Sequence, residues 1–215
     1  MSAGARAGRI DAETVRRTLR AAGLRARRSL SQNFLADPDV LETILAEAAP
    51  SAGRRVLEIG PGLGLLTSAL LGEGAAVTAV ELDRDLVRWL RSEQERALVA
   101  GARDPSAPGS LTLHHADALD LELTSLVPPP YEVVANVPYH ITSPILHRLL
   151  GGTPRPDRLV LMVQREVAEQ IAAPSGALSY LSVFCQYHAR VRVAAHVPAT
   201  AFEPAPAVES ALLVL

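Results

Sequence analysis

The sequence predicts an α/β protein with a mostly parallel, doubly wound, seven-stranded sheet. Three observations predict it. From residue 55 onward, short apolar runs alternate with longer amphipathic ones. Several of the short runs end in glycine-rich or acidic turns, as strands do where they feed helices. The final two strand-like runs have no obvious crossover helix between them, so they are expected to add an antiparallel edge.

The elements follow in order. Residues 1–10 are expected to be disordered. Asp11 is suited to cap a short basic helix over residues 12–22, which Gly23 ends. Asp37-Pro38 opens a second helix, with proline in its first turn, and Pro50-Ser51-Ala52-Gly53 breaks it. Strands are expected at 55–60 and 75–81, each followed by a helix, at 63–72 and 85–97. Trp89 is expected on the buried face of the latter. A loop over 101–109 leads to a strand at 111–114. The run Tyr131-Glu132-Val133-Val134-Ala135 reads as a buried strand ending at Asn136. A helix at 143–150, a strand at 159–163 and a helix at 164–172 follow. Strands at 189–197 and 210–215 close the chain. No element is assigned to 173–188, where Cys185, within an apolar run, reads as a buried, unreactive thiol.

The 215 residues suit one large domain, or a domain plus an arm, and at 48% hydrophobic they can build a real core. The single cysteine excludes an internal disulfide framework and fits a reducing, cytoplasmic compartment. The first residues lack the apolar stretch of a signal peptide, and no run approaches the roughly 18 apolar residues of a membrane span. No membrane partner is therefore expected. The net charge of −2 hides an asymmetry. Residues 1–30 hold eight Arg against Asp11 and Glu13, while acids outnumber Arg in the remainder. A basic arm (1–30) on an acidic domain (31–215) points to a polyanionic partner.

Four motifs carry chemistry. In Asn136-Val137-Pro138-Tyr139, at a strand end, the Asn oxygen and a backbone carbonyl near Pro138 can accept hydrogen bonds from one exocyclic NH2. The Tyr139 ring can stack on the base that carries it. The turn Gly60-Pro61-Gly62-Leu63-Gly64 lets backbone approach a ligand, yet Leu65 stands where a dinucleotide fingerprint wants glycine. Glu81 ends the second strand, where a carboxylate can accept both hydroxyls of an adenosine ribose. Asp117, after the third strand, is positioned to accept from an adenine amino group. Together they outline an adenosine-shaped site. No H-E-x-x-H or comparable metal signature is present.

Gln32-Asn33-Phe34-Leu35, the glycine turn, Glu81, Asp117, Asn136 to Tyr139 and Phe202-Glu203-Pro204-Ala205-Pro206-Ala207-Val208-Glu209-Ser210 occur in the order of one family. The chain resembles the ribosomal RNA adenine N6,N6-dimethyltransferases of the kasugamycin-sensitivity type, from about residue 31 to 215. The resemblance implies a Rossmann-like methyltransferase fold and S-adenosyl-L-methionine as methyl donor. It implies donor contacts at Asn33, Leu35, Gly60, Glu81, Asp117 and Asn136. It assigns the target adenine to Asn136, Pro138 and Tyr139, with Phe202 on the opposite face. It further implies a partner, small-subunit ribosomal RNA in an immature 30S particle, and a monomeric enzyme. Two departures stand out: Val137 replaces a more usual Leu, and the family's C-terminal helical domain is expected to be absent. The alternatives are a large-subunit rRNA adenine methyltransferase of the resistance type, an RNA-binding assembly factor with little turnover, and an NAD-dependent oxidoreductase, which Leu65 disfavours.

Overall fold

The computed structural model describes residues 11–99 and 109–215. The disorder expected over 1–10 and the loop expected over 101–108 lie outside them. Seven strands form one sheet: β2 (Arg55–Ile59), β3 (Ala76–Glu81), β4 (Ser110–His115), β5 (Glu132–Asn136), β6 (Arg158–Gln164), β7 (Arg192–Val197) and β9 (Ser210–Val214). Their order is β4-β3-β2-β5-β6-β9-β7. The first five pair in parallel, and β9 runs antiparallel to both neighbours. Antiparallel pairing is thus confined to the edge pair, with β9 one place in from the rim.

The inner strands are buried on both faces, the outermost β4 and β7 only partly, and side chains alternate between two cores. Val56, Val134, Val160 and Leu212 point to helices α2 (Pro38–Ala48) and α3 (Leu65–Gly72). Their neighbours Leu57, Val133, Leu161 and Leu213 point to α6 (Thr142–Gly151), α7 (Arg165–Ile171) and α8 (Tyr180–His188). The order reverses between β2 and β5, so the helices following these strands leave on opposite faces. A crevice opens at the strands' carboxyl ends there.

The basic segment joins this body. α1 (Ala12–Ala21) starts at Asp11, whose carboxylate accepts the Thr14 N–H at 2.7 Å. Val15 and Leu19, one turn apart, are buried with Phe34, Ala36 and Leu86. Downstream, β1 (Phe34–Leu35) pairs antiparallel with β8 (Phe202–Glu203). Arg16 reinforces this from α1 by an ion pair to Glu203 at 2.8 Å.

Several details differ from the sequence expectation. α3 begins at Leu65 because Gly64 sits at φ +85° and serves as its left-handed cap. Trp89, on α4 (Arg84–Val99), is half-buried, while Leu86, Val87 and Leu90 carry the buried face. α5 (Leu123–Leu126) and α8 had no sequence assignment. α8 buries Ser182 and Cys185 but leaves Tyr180 and Tyr187 exposed, so its polarity hides the helical period. A reciprocal Ser179/Ser182 cap starts it. Cys185 is fully buried, and burial pushes its thiol up to about 11, in keeping with an inert role. No described helix is long and apolar enough to cross a membrane.

Candidate active site

A cavity of about 590 Å³ opens where β2, β3, β4 and β5 end. That volume suits a nucleoside-sized organic ligand. Strand ends and the glycine turn form its floor. The opposite wall comes from residues 30–35 and from Thr14 and Thr18 of α1, so the basic segment is part of the site.

The glycine turn is held from β3. Gly60 donates to the Val80 carbonyl at 2.9 Å, and Gly62 donates to Glu81 Oε2 at 3.1 Å. Gly62 sits at φ +59°, and a Cβ there would meet the Phe34 ring at 3.1 Å. A side chain would therefore be both strained and crowded. Glu81 also accepts the Asp83 N–H at 2.8 Å and is 6% exposed. Burial raises its carboxyl above the usual range, opposed by those two N–H bonds. Each oxygen keeps lone-pair capacity for a ribose hydroxyl. Asp117 turns the chain after β4 by accepting the Leu119 N–H at 2.8 Å on one oxygen. Its other oxygen is left for a ligand donor.

The tetrad at the end of β5 closes the floor. Asn136 donates its Nδ2 to the Asn33 carbonyl at 3.1 Å. A carbonyl can only accept, so this bond fixes the carboxamide and leaves its oxygen without a partner among the described residues. The Pro138 carbonyl takes the Ile141 N–H at 3.0 Å. The Val137 carbonyl, on the other side of the proline, has no partner among the described residues and keeps both lone pairs. Tyr139 is half-buried, its hydroxyl 2.6 Å from Ser210 Oγ, and burial raises its pKa.

Asn33, Leu35, Gly60, Glu81, Asp117, Asn136, Pro138 and Tyr139 all line this one cavity. Phe202 does not. Its side chain is 2% exposed and packs among Val134, Val160, Met162 and Leu212, so the expectation that it covers a face of the target base is corrected. Its strand, β8, is the partner of β1, and that pairing turns the ring into the core.

Several contributors escaped the sequence reading. Glu58 is 1% exposed at the cavity floor and accepts the Thr67 hydroxyl at 2.7 Å. Burial, with Glu81 adding repulsion, pushes it up to about 8. A carboxylate embedded in the apolar run from Val56 to Ile59 was the available signal. Gln32, in the wall, donates to Asp83 behind it at 2.9 Å, and Trp89 donates to the Leu63 carbonyl at 3.2 Å. Among the described residues, no group of three or more His, Cys, Asp or Glu could hold a metal ion.

A family model described as ribosomal RNA adenine dimethylase matches residues 23–215. The chain belongs to the ribosomal RNA adenine dimethylase family. Relatives agree. It is 45% identical over 203 residues to "Ribosomal RNA small subunit methyltransferase A" of Anaeromyxobacter sp. (strain K), covering 88% of this chain and 67% of that one. The protein of the same name from Geobacter sulfurreducens is 42% identical over 201 residues, covering 91% and 69%. The chain thus spans about two thirds of the length of these relatives. A dimethyladenosine transferase from Plasmodium falciparum superposes with a TM-score of 0.71 at 28% identity, covering 85% of this chain and 62% of that one. The 23S rRNA methyltransferase ErmE gives 0.70 at 31% identity, covering 85% and 68%.

Proposed function

We propose that this protein transfers methyl groups from S-adenosyl-L-methionine to N6 of adenosines in small-subunit ribosomal RNA. The observation that carries the reading is the Asn136 carboxamide. It is locked so that its oxygen stays free, in a cavity that Glu81 and Asp117 also line. Those two carboxylates, with Gly60, Asn33 and Leu35, would hold the donor's adenosine. The donor supplies an electrophilic methyl group carried on a sulfonium.

The chain's own residues then act on the adenine. Its amino nitrogen is a poor nucleophile because the lone pair is spread into the ring. The Asn136 oxygen and the Val137 carbonyl would accept the two N6 hydrogens, drawing the nitrogen toward a tetrahedral, more nucleophilic form. Fixed dipoles of this kind stabilise developing charge at no reorganisation cost. Alignment in a closed cavity contributes more, up to about 7–11 kcal/mol in favourable cases. The base must leave its stack to enter, and a ring such as Tyr139 returns about 1–3 kcal/mol per stacked base. No strong base is needed, because the nitrogen becomes acidic once alkylated.

The basic segment supplies RNA contact. Arg17, Arg25 and Arg28 are exposed and carry no ion pair among the described residues, whereas Arg27 is committed to Asp83 and Asp85. The reading extends to an immature 30S particle as substrate, a monomeric enzyme, a cytoplasmic location and two methyl groups per adenosine. It treats residues 1–30 as the RNA-facing arm of a catalytic domain at 31–215. The relatives at 40–45% identity bear the small-subunit name, which favours this over the large-subunit alternative. Radiolabelled transfer to undermethylated 30S particles, followed by digestion to nucleosides, tests it. N6,N6-dimethyladenosine in small-subunit RNA is the expected product. Label confined to large-subunit RNA, or none at all with donor bound, would reject it.

A further inference from the structure

An asparagine side chain serves an amino group in only one of its two orientations. Turned by 180°, Asn136 would aim a donor where an acceptor is required. What fixes it is the Asn33 backbone carbonyl, 3.1 Å from Nδ2. That carbonyl belongs to a short irregular segment between a 3-10 turn (Arg28–Leu30) and the two-residue β1, held on the backbone by the Gln32 N–H donating to the Arg27 carbonyl at 3.3 Å and by the β1–β8 pair that follows. Side chains tie it to the rest of the site. Gln32 Oε1 accepts the Arg27 N–H at 2.8 Å, and Gln32 Nε2 donates to Asp83 Oδ2 at 2.9 Å. Arg27 reaches the other oxygen of Asp83 at 3.3 Å and also pairs with Asp85. Asp83 itself is 3% exposed, and its N–H is tied to Glu81 at 2.8 Å. Asn33 steadies the turn by donating its own Nδ2 to the Ser31 carbonyl at 3.1 Å.

We infer that Gln32 and Asp83 are positioning residues for methyl transfer. Through the Asn33 carbonyl they hold the Asn136 oxygen toward the target amino group: Asp83 lies outside the cavity lining, and Gln32, in the cavity wall, commits both its side-chain polar atoms to Arg27 and Asp83. Gln32 suits the task because one amide supplies both an acceptor for its own loop and a donor to the buried carboxylate. The inference rests on the role of Asn136 proposed above.

The test compares the full chain with variants at saturating donor and undermethylated 30S particles. Gln32→Glu places a second carboxylate against Asp83 and should lower kcat at least about tenfold, with donor affinity near that of the parent. Gln32→Ala removes the bracket without adding charge and should give a similar loss if the first variant does not fold. Combining Gln32→Glu with Asp83→Asn reverses donor and acceptor across the same contact and should restore most of kcat. In an Asn136→Ala background, Gln32→Glu should lower kcat no further, because the group it positions is gone. Parental kcat in both single Gln32 variants, or losses that multiply with that of Asn136→Ala, would overturn the inference alone. Parental turnover by Asn136→Ala would overturn the role of Asn136, and the inference with it.

Discussion

The Tyr139 hydroxyl lies 2.6 Å from Oγ of Ser210, a fully buried serine that opens β9. The ring best suited to stack on the target base is thereby anchored by a strand on the far side of β6. Ser210→Ala and Tyr139→Phe are each expected to lower kcat roughly tenfold, since small misplacements at a reacting centre are costly. The double variant should be no worse than either single one. Single-turnover methyl transfer checks this, and independent, multiplying effects would show that the tether does not act on the ring.

Asn136→Ala is expected to lower kcat about 10²- to 10³-fold, the scale seen when one preorganised polar partner is removed. Donor binding, followed by calorimetry, should weaken only partly, because Glu81 and Asp117 remain.

Glu58 gives a pH dependence to stability. Its folded-state pKa is pushed from 4.5 up to about 8 by burial, with repulsion from Glu81 adding to the shift. The folded form therefore holds a proton that the unfolded chain releases. The resulting stabilisation is complete below about pH 4.5, declines as pH rises, and is gone above about pH 8. Glu58→Gln keeps the acceptor for Thr67 and removes the titration. Its unfolding free energy relative to the parent should rise by up to about 3–5 kcal/mol between those limits, which denaturant unfolding across the range will measure. A constant difference would mean that Glu58 is ionised in the fold.

The arginines of the basic segment should separate into two classes. Replacing Arg17, Arg25 and Arg28 by Gln is expected to weaken RNA binding and reduce the slope of log K against log salt by about 2–3. Arg27→Gln should leave that slope nearly unchanged and lower the melting temperature, because Arg27 braces Asp83 and Asp85.

Phe202→Ala should cost about 3–5 kcal/mol of stability, as a buried aromatic does when truncated. Phe202→Leu should keep most of both stability and kcat. Loss of kcat in the Leu variant with an unchanged melting temperature would return Phe202 to the target base.

Why the strand-end position of Asn136 is legible in the sequence and the direction of the Phe202 ring is not is a matter of range. Asn136, Glu81 and Asp117 follow strands whose apolar runs are local signals, and parallel sheets put such residues at one rim. The side to which Phe202 points depends on the β1–β8 register, Leu35 opposite Phe202, and nothing local announces a pair of two-residue strands. The same distance hid the wall of the cavity. Arginine content marked residues 1–30 as a polyanion-binding arm, while Val15 and Leu19, two apolar positions in a charged helix, carried the signal that its helix docks. Trp89 drew attention by its size, yet its indole N–H finds a carbonyl at the cavity edge, where a half-polar ring fits better than in the core.

The position of β9 bears on how the enzyme comes into being on the ribosome that makes it. Ser210–Val214 slots between β6 and β7, both synthesised before it. A nascent chain that has emerged only through β7 holds every strand of the rim formed by β2, β3, β4 and β5, but lacks both β8, the partner of β1 at the cavity wall, and β9. Its sheet is still split at that stage, and Tyr139 has no serine to rest against. The last residues to be made thus complete two parts of the site at once, the cavity wall through β8 and the anchor of Tyr139 through β9.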